Sequence, residues 1–504
     1  MNVSYRSIYS GRRTARFATY IIFLAALAIV LPAQTFTTLA TFDNTDGREP
    51  YAWLIQAANG KLYGTTTYGS ADGNDYTGTI FEITPAGKLT TLYTFCSQAN
   101  CADGQAPRAG LLQGANGNFY GTTSSGGRNV DCDGAIGCGT AFEITPGGTL
   151  TTLYTFCPTS PCTDGATPVA GLVQGANGDF YGTTQFQGAY GYGTVFKITP
   201  GGKLTTLYSL CSLYLCADGA NPVTGLVQGA NGDFYGTTEY GGAHSAGTVF
   251  KITPSGKLTT LYSFCSLYPC LDGSGPEAGL IQAANGDFYG TTSAGGPTGA
   301  CSVGQGCGTV FKITPSGTLK TIHSFCSESG CPDGRNPVAG LIQATDGNLY
   351  GTTAYGGNCG SDCGDGTVFR ITPSGKLTTL YSFDWPSGTN PSAALVQDTN
   401  GTLYGTTPSG GANYDGTVFS LSVGLGPFVE TVPVDGKVGT AVKILGTDLT
   451  DATSITFNGT AAAFTVTSAS EITATVPAGA TTGTVQVVTT DGVLSSNVPF
   501  QVKP

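Results

Sequence analysis

Charge is scarce in this sequence: only 11% of its 504 residues are Asp, Glu, Lys or Arg, against about 25% in an average globular chain. The rarer sign is positive, 21 basic residues against 32 acidic, which leaves a formal net charge of −11. With no Lys/Arg cluster in the mature chain to offset it, that balance repels phosphate backbones and excludes nucleic acid as an expected partner. Histidine is almost missing. His244 and His323 are too few for a His-based metal centre or a strong catalytic triad. Tryptophan occurs twice, as Trp53 and Trp385. Apolar runs long enough to cross a bilayer are absent after the N-terminus, so the mature chain is expected to have no membrane span.

The first 33 residues hold the one long apolar stretch. Arg6, Arg12, Arg13 and Arg16 precede the run 20–31, and Ala33 stands before Gln34, the layout of a signal peptide (1–33) cleaved near Ala33, with an uncleaved membrane anchor as the alternative that the shortness of the run disfavours. Cysteine usage agrees with export. All sixteen cysteines fall into eight close pairs: Cys96 with Cys101, Cys132 with Cys138, Cys157 with Cys162, Cys211 with Cys216, Cys265 with Cys270, Cys301 with Cys307, Cys326 with Cys331 and Cys359 with Cys363. Local pairs behind an export signal predict disulfides formed in an oxidising compartment. Zinc sites gather four ligands, commonly at two-residue spacings, whereas these pairs stand in separate repeats, so neither metal nor cofactor is expected. Each loop closed this way adds about 2 kcal/mol on the chain-entropy estimate.

What the chain has in excess is one stretch written seven times. In the fourth copy, residues 225–238 read Gly-Leu-Val-Gln-Gly-Ala-Asn-Gly-Asp-Phe-Tyr-Gly-Thr-Thr, 247–256 read Gly-Thr-Val-Phe-Lys-Ile-Thr-Pro-Ser-Gly, and Lys-Leu-Thr-Thr-Leu-Tyr-Ser-Phe follows. The tyrosine of Tyr-Gly-Thr-Thr recurs at Tyr63, Tyr120, Tyr181, Tyr235, Tyr289, Tyr350 and Tyr404, a period of 54 to 61 residues. Four strand-like runs stand in each copy, at 225–228, 233–238, 247–253 and 257–264 in the fourth. Asn-Gly or Asp-Gly separates the first two, supplying the positive φ angles of a tight hairpin turn. Each repeat therefore reads as an antiparallel four-stranded meander, the unit of a β-propeller. The seventh copy stops after its third strand, and the missing fourth stands at residues 35–42. Closure by this N-terminal strand removes the sheet edges of an open array. The expected fold is all-β, a seven-bladed propeller over 34–422.

In such a meander the short turns share one face, and the long, variable, cysteine-bearing connections share the other. Loops on a rigid scaffold are where binding concentrates. A linker at 423–427 leads to 428–504, whose β-rich runs at 442–445, 455–458, 472–476 and 485–488 suit a small β-sandwich.

The repeat motif, with its Gly-Thr-Val-Phe-Lys-Ile-Thr-Pro partner, resembles the tandem GloVer (Gloeobacter/Verrucomicrobia-type) repeats of exported bacterial proteins over residues 35–422. The tail is similar to an IPT/TIG domain. Its matching segments are Val-Lys-Ile-Leu-Gly-Thr-Asp-Leu at 442–449, Ile-Thr-Phe-Asn-Gly at 455–459 and Ile-Thr-Ala-Thr-Val-Pro-Ala-Gly at 472–479. That resemblance implies an immunoglobulin-like fold of a kind common beside extracellular binding or carbohydrate-active modules. The chain ends at Pro504 without a hydrophobic tail, so no anchor is expected there.

A residue present in all seven copies serves the scaffold, because one asymmetric site does not need seven of itself. Gln56, Gln113, Gln174, Gln228, Gln282, Gln343 and Gln397 are thus expected to bond a neighbouring strand. Ligand contacts are sought in what differs: Tyr68, Phe186, Tyr240 and Tyr355, two residues past Thr-Thr, together with Trp53 and Trp385 where the ring closes. Exposed rings among few charges suit sugar faces or protein contacts. The expected function is a secreted or cell-surface protein binding a glycan or an extracellular protein without catalysis. An exported carbohydrate-active hydrolase or lyase and a structural envelope module are the alternatives.

Overall fold

The structure is a computed structural model that describes residues 34–70, 76–114, 116–127, 131–132, 135–297, 301, 306–357 and 364–503. It is all-β and propeller-like, built of repeated four-stranded antiparallel sheets, one per repeat. In the fourth repeat the strands are Val227–Gln228, Phe234–Thr238, Thr248–Ile252 and Leu258–Ser263. The first strand pairs over only two residues, and next to that pairing the side chains of Leu226 and Phe250 lie over Gly236. A β-carbon at Gly236 would collide with both. The hairpin turn also departs from expectation. Only Gly232 takes a positive φ, at 83°, while Asn231 acts through its side chain, accepting the Asp233 N–H at Oδ1 (3.2 Å). The loop is thus the three-residue kind that ends on a left-handed glycine.

The repeated polar residues join sheet to sheet. The first threonine of Tyr-Gly-Thr-Thr donates to a backbone carbonyl in the next repeat: Thr65 to Ala109, Thr122 to Ala170, Thr183 to Thr224, Thr237 to Ala278 and Thr291 to Ala339. Thr352 donates to Pro391 and Ala393, and Thr406 returns to Ala52 at 3.1 Å. The glutamines reach the other way. Gln228 Oε1 accepts from Ala176 N–H and Gln282 Oε1 from Ala230 N–H, while Gln56 Oε1 accepts from Thr399 N–H (3.0 Å). Aromatic contacts fill the seams, as at Tyr181–Phe234 and Tyr235–Phe288, each with centroids 4.0 Å apart.

Residues Thr35–Thr41 form the fourth strand of the sheet begun by the last repeat, pairing with Thr417–Ser422 from Thr35↔Ser422 to Thr41↔Thr417. Phe36 stacks on Tyr381 at 3.7 Å, and Phe42 is wholly buried. Six of the eight expected disulfides are present, at Cys96–Cys101, Cys157–Cys162, Cys211–Cys216, Cys265–Cys270, Cys301–Cys307 and Cys326–Cys331. The expected bridge between Cys359 and Cys363 falls outside the described residues, as does the side chain of Cys132, the expected partner of Cys138. No described helix is long and apolar enough to cross a membrane.

After Ser422, two four-stranded sheets share one core of Val442, Ile444, Ile455, Phe457, Ile472, Val485, Val487 and Phe500. One sheet contains Glu430–Val432, Ala441–Leu445, Phe464–Ser468 and Glu471–Thr475. The other contains Ser454–Phe457, Thr460–Ala461, Val485–Thr489 and Gly492–Ser495. The tail is tied to hairpin turns of the first and seventh repeats: Phe428 N–H donates to Thr399 O (2.9 Å), and Ser470 Oγ to Ala58 O (3.1 Å).

Candidate functional site

The first strands of the repeats surround a cavity of about 520 Å³. Each strand is entered through an invariant proline, and the residue after it stands at the cavity mouth on the loop-rich side. Three repeats place valine there, Val169, Val223 and Val338. The others place Tyr51, Arg108, Glu277 and Ser392. Two residues further on, the positions nearest the axis are Gly110, Gly171, Gly225, Gly279, Gly340 and Ala394, with Trp53 as the exception. Small residues let the strands crowd together here, and the indole occupies the space that side chains on Gly110 and Gly171 would need. At the opposite end the cavity is walled by Gln343, Gln397 and two tail residues, Glu430 and Asn497. Burial, with the Asp398 carboxylate adding to it, pushes the Glu430 carboxyl up to about 6.

The mouth is electrostatically lopsided. Arg108 is exposed, and its Nη2 donates to the Tyr68 hydroxyl at 3.2 Å. Glu277 Oε1 accepts from Ser293 Oγ at 2.7 Å. Glu239 stands close enough to Glu277 that burial and the neighbouring carboxylate together raise its pKa, while the Tyr240 hydroxyl bonds to it. That carboxylate holds Tyr240 up at about 12.

The aromatic candidates divide. Tyr68, Phe186, Tyr240 and Tyr355 occupy equivalent places, each bridging the connector of its own repeat at Arg48, Ala166, Ala220 and Arg335. Guanidinium groups cover two of the rings, Arg48 over Tyr68 at 5.6 Å and Arg335 over Tyr355 at 5.5 Å. Phe186 and Tyr240 keep 37% and 53% of their surface exposed. Trp53 lies on the axis, whereas Trp385 packs against Tyr414 with centroids 5.5 Å apart, so the fold gives the two indoles different surroundings. Tyr51, Arg108, Glu277 and Glu430 escaped sequence reasoning. Aligning the repeats on the invariant proline brings out the first three; nothing in the sequence marks Glu430.

The repeated acids and glutamines act in the scaffold. Asp103 accepts from the Tyr93 hydroxyl (2.8 Å) and from Ser97 N–H (3.0 Å), fixing its own connector. His323 replaces such a tyrosine and keeps the contact, with Nε2 3.0 Å from Asp333 Oδ2. Cysteine pairs distant in sequence meet in space: the sulfurs of Cys301, Cys307, Cys326 and Cys331 all lie within 4.8 Å of one another, as do those of Cys138, Cys157 and Cys162.

No curated protein matches this sequence. Among solved structures, a fungal alcohol oxidase of the AA5 family in complex with copper has a TM-score of 0.49 at 12% identity, covering 93% of this chain and 99% of that one. A protein described as a putative 6-phosphogluconolactonase from Bacteroides uniformis has a TM-score of 0.40 at 17% identity, covering 66% of this chain and 83% of its own. The Gloeobacter/Verrucomicrobia repeat matches residues 27–132, 96–304 and 270–469. These spans contain every copy of the Tyr-Gly-Thr-Thr motif and of the glutamine before it, which together join the sheets, and the chain belongs to the Gloeobacter/Verrucomicrobia repeat family.

Proposed function

We propose that this is an exported binding protein: a seven-bladed propeller over 34–422, closed by its N-terminal strand, with an immunoglobulin-like sandwich at 428–504 and a signal peptide at 1–33, recognising a glycan at the mouth of the axial cavity. One observation carries the reading. Seven repeats that agree closely in their strands differ at the residue after the invariant proline, and there four of them place Tyr51, Arg108, Glu277 and Ser392 at the mouth of one cavity. Concave, mostly apolar sites with a few convergent polar groups are where small ligands bind. Trp53 supplies an indole and Tyr51 a ring 40% exposed, surfaces suited to stacking on sugars. The local disulfides and the scarcity of charge fit an extracellular setting.

A hydrolytic reading draws on the closeness of Glu239 and Glu277, since paired carboxylates are what glycoside hydrolysis requires. A glycan array read together with a reducing-sugar release assay separates the two. Binding without turnover is expected; turnover that is lost in Glu277→Gln would replace the binding reading with the hydrolytic one, and an array without any hit would remove both.

A further inference from the structure

The glycan reading leaves open what kind of sugar fits, and the charges at the mouth address it. Arg108 comes from the second repeat. Glu239 follows the second strand of the fourth repeat, and Glu277 enters the fifth. In a ring of seven, the second position lies three steps from the fifth one way and four the other, so Arg108 faces Glu277 across the axis.

Each side keeps binding capacity in reserve. Arg108 donates once, to Tyr68, and forms an ion pair with no carboxylate among the described residues, leaving most of the five N–H groups of a guanidinium available. Glu49, an acidic residue on the same side, is engaged by the Tyr51 hydroxyl. Glu277 takes one hydrogen bond, from Ser293, and pairs with no cation among the described residues. Glu239 is crowded by Glu277 and by burial, both of which disfavour its charged form. A cation between the two carboxylates relieves that repulsion. A neutral sugar seated over Trp53 would instead strip water from Arg108 and Glu277 and pair neither of them, which is costly.

We infer that the mouth takes a saccharide bearing both a carboxylate and a free amine, the carboxylate held by Arg108 and the ammonium by Glu277. The inference rests on the glycan reading above and names the chemistry of the sugar. Arginine suits the acidic end because its planar fork meets both carboxylate oxygens at once.

Calorimetric titration of the full mature chain with four disaccharides tests it: glucuronosyl-glucosamine with its amine free, the N-acetylated form, the carboxyl-reduced form, and the form carrying both changes. The free zwitterion is expected to bind at least tenfold more tightly than either singly altered sugar. Arg108→Gln should abolish discrimination against carboxyl reduction while keeping that against acetylation, and Glu277→Gln should do the reverse. Circular dichroism melts check that both variants fold. Equal affinity for all four sugars, binding of none, or variants that keep both preferences would overturn the inference. A glycan array with neutral hits only would also overturn it while leaving the glycan reading intact, whereas an array without hits removes the reading itself.

Discussion

Gln56 shows how one side chain can hold a ring shut. Its Nε2 donates to Asp398 Oδ1 (2.6 Å) and Thr399 Oγ1 (3.0 Å), and its Oε1 accepts from Thr399 N–H. Gln174, at the same place in an interior repeat, donates among the described residues to Gly178 O, four residues along its own chain. Asp398 is 2% exposed, so removing its partner leaves a buried carboxylate short of a donor. Gln56→Ala is therefore expected to cost about 2 to 3 kcal/mol and Gln174→Ala about 1 kcal/mol, by the usual range for unsatisfied buried groups. Urea unfolding of the two variants measures the difference, and equal losses would show that the closing glutamine has no special part. At this scale much was legible in the sequence. Presence in every copy pointed to a scaffold role for the glutamines, and His323 could be read as a tolerated substitute for tyrosine because its copies name the residue it replaces. Glu430 was not legible, because its environment is made by elements remote in sequence.

At the scale of strands, the seven copies made the sheets legible and the missing fourth strand of the last copy made the closure legible. What they did not reveal was the brevity of the first strand. A β-rich run of four residues leads one to expect longer pairing, yet only Val227 and Gln228 pair, while Leu226 and Phe250 both pack over Gly236. The N-terminal strand offers the sharpest test. Deleting residues 34–42 uncovers the edge of Thr417–Ser422 and removes Phe36 from Tyr381 and the wholly buried Phe42 from Phe81. Burying one phenylalanine contributes about 2 kcal/mol by transfer, and the exposed edge is a template for pairing between chains. The truncated protein is expected to melt lower and to associate, with a synthetic peptide of residues 34–43 restoring both melting temperature and monodispersity. A truncated chain that stays monomeric with an unchanged melt would show that the strand adds little to the ring.

The whole molecule couples its tail to its ring through the closed end of the axial cavity, and Glu430 makes that coupling measurable. Glu430 lines the cavity, and its carboxyl is pushed from 4.5 up to about 6, by burial first and by Asp398 second. The sign follows from proton linkage. Below pH 4.5 the folded and unfolded chains both carry the proton and this group adds no penalty. As the pH rises from 4.5 to about 6 the unfolded chain releases a proton that the folded chain still holds, so stability falls, and above about 6 the loss is complete. A shift of this size corresponds to about 2 kcal/mol, and the residue's partial exposure reduces it to about 1 kcal/mol. Glu430→Gln keeps the shape and removes the titration. The variant is expected to match the native protein at pH 4 and to exceed it by about 1 kcal/mol at pH 7.5. Asp46, also raised to about 6, slopes in the same direction in both proteins and cancels in the comparison, whereas Asp398, whose charge repels that of Glu430, is relieved in the variant and adds to the gain at high pH. Denaturant unfolding of the pair across that range reads the effect directly. A stability difference independent of pH would mean that Glu430 is hydrated in the folded chain, and the tail would then not close the cavity.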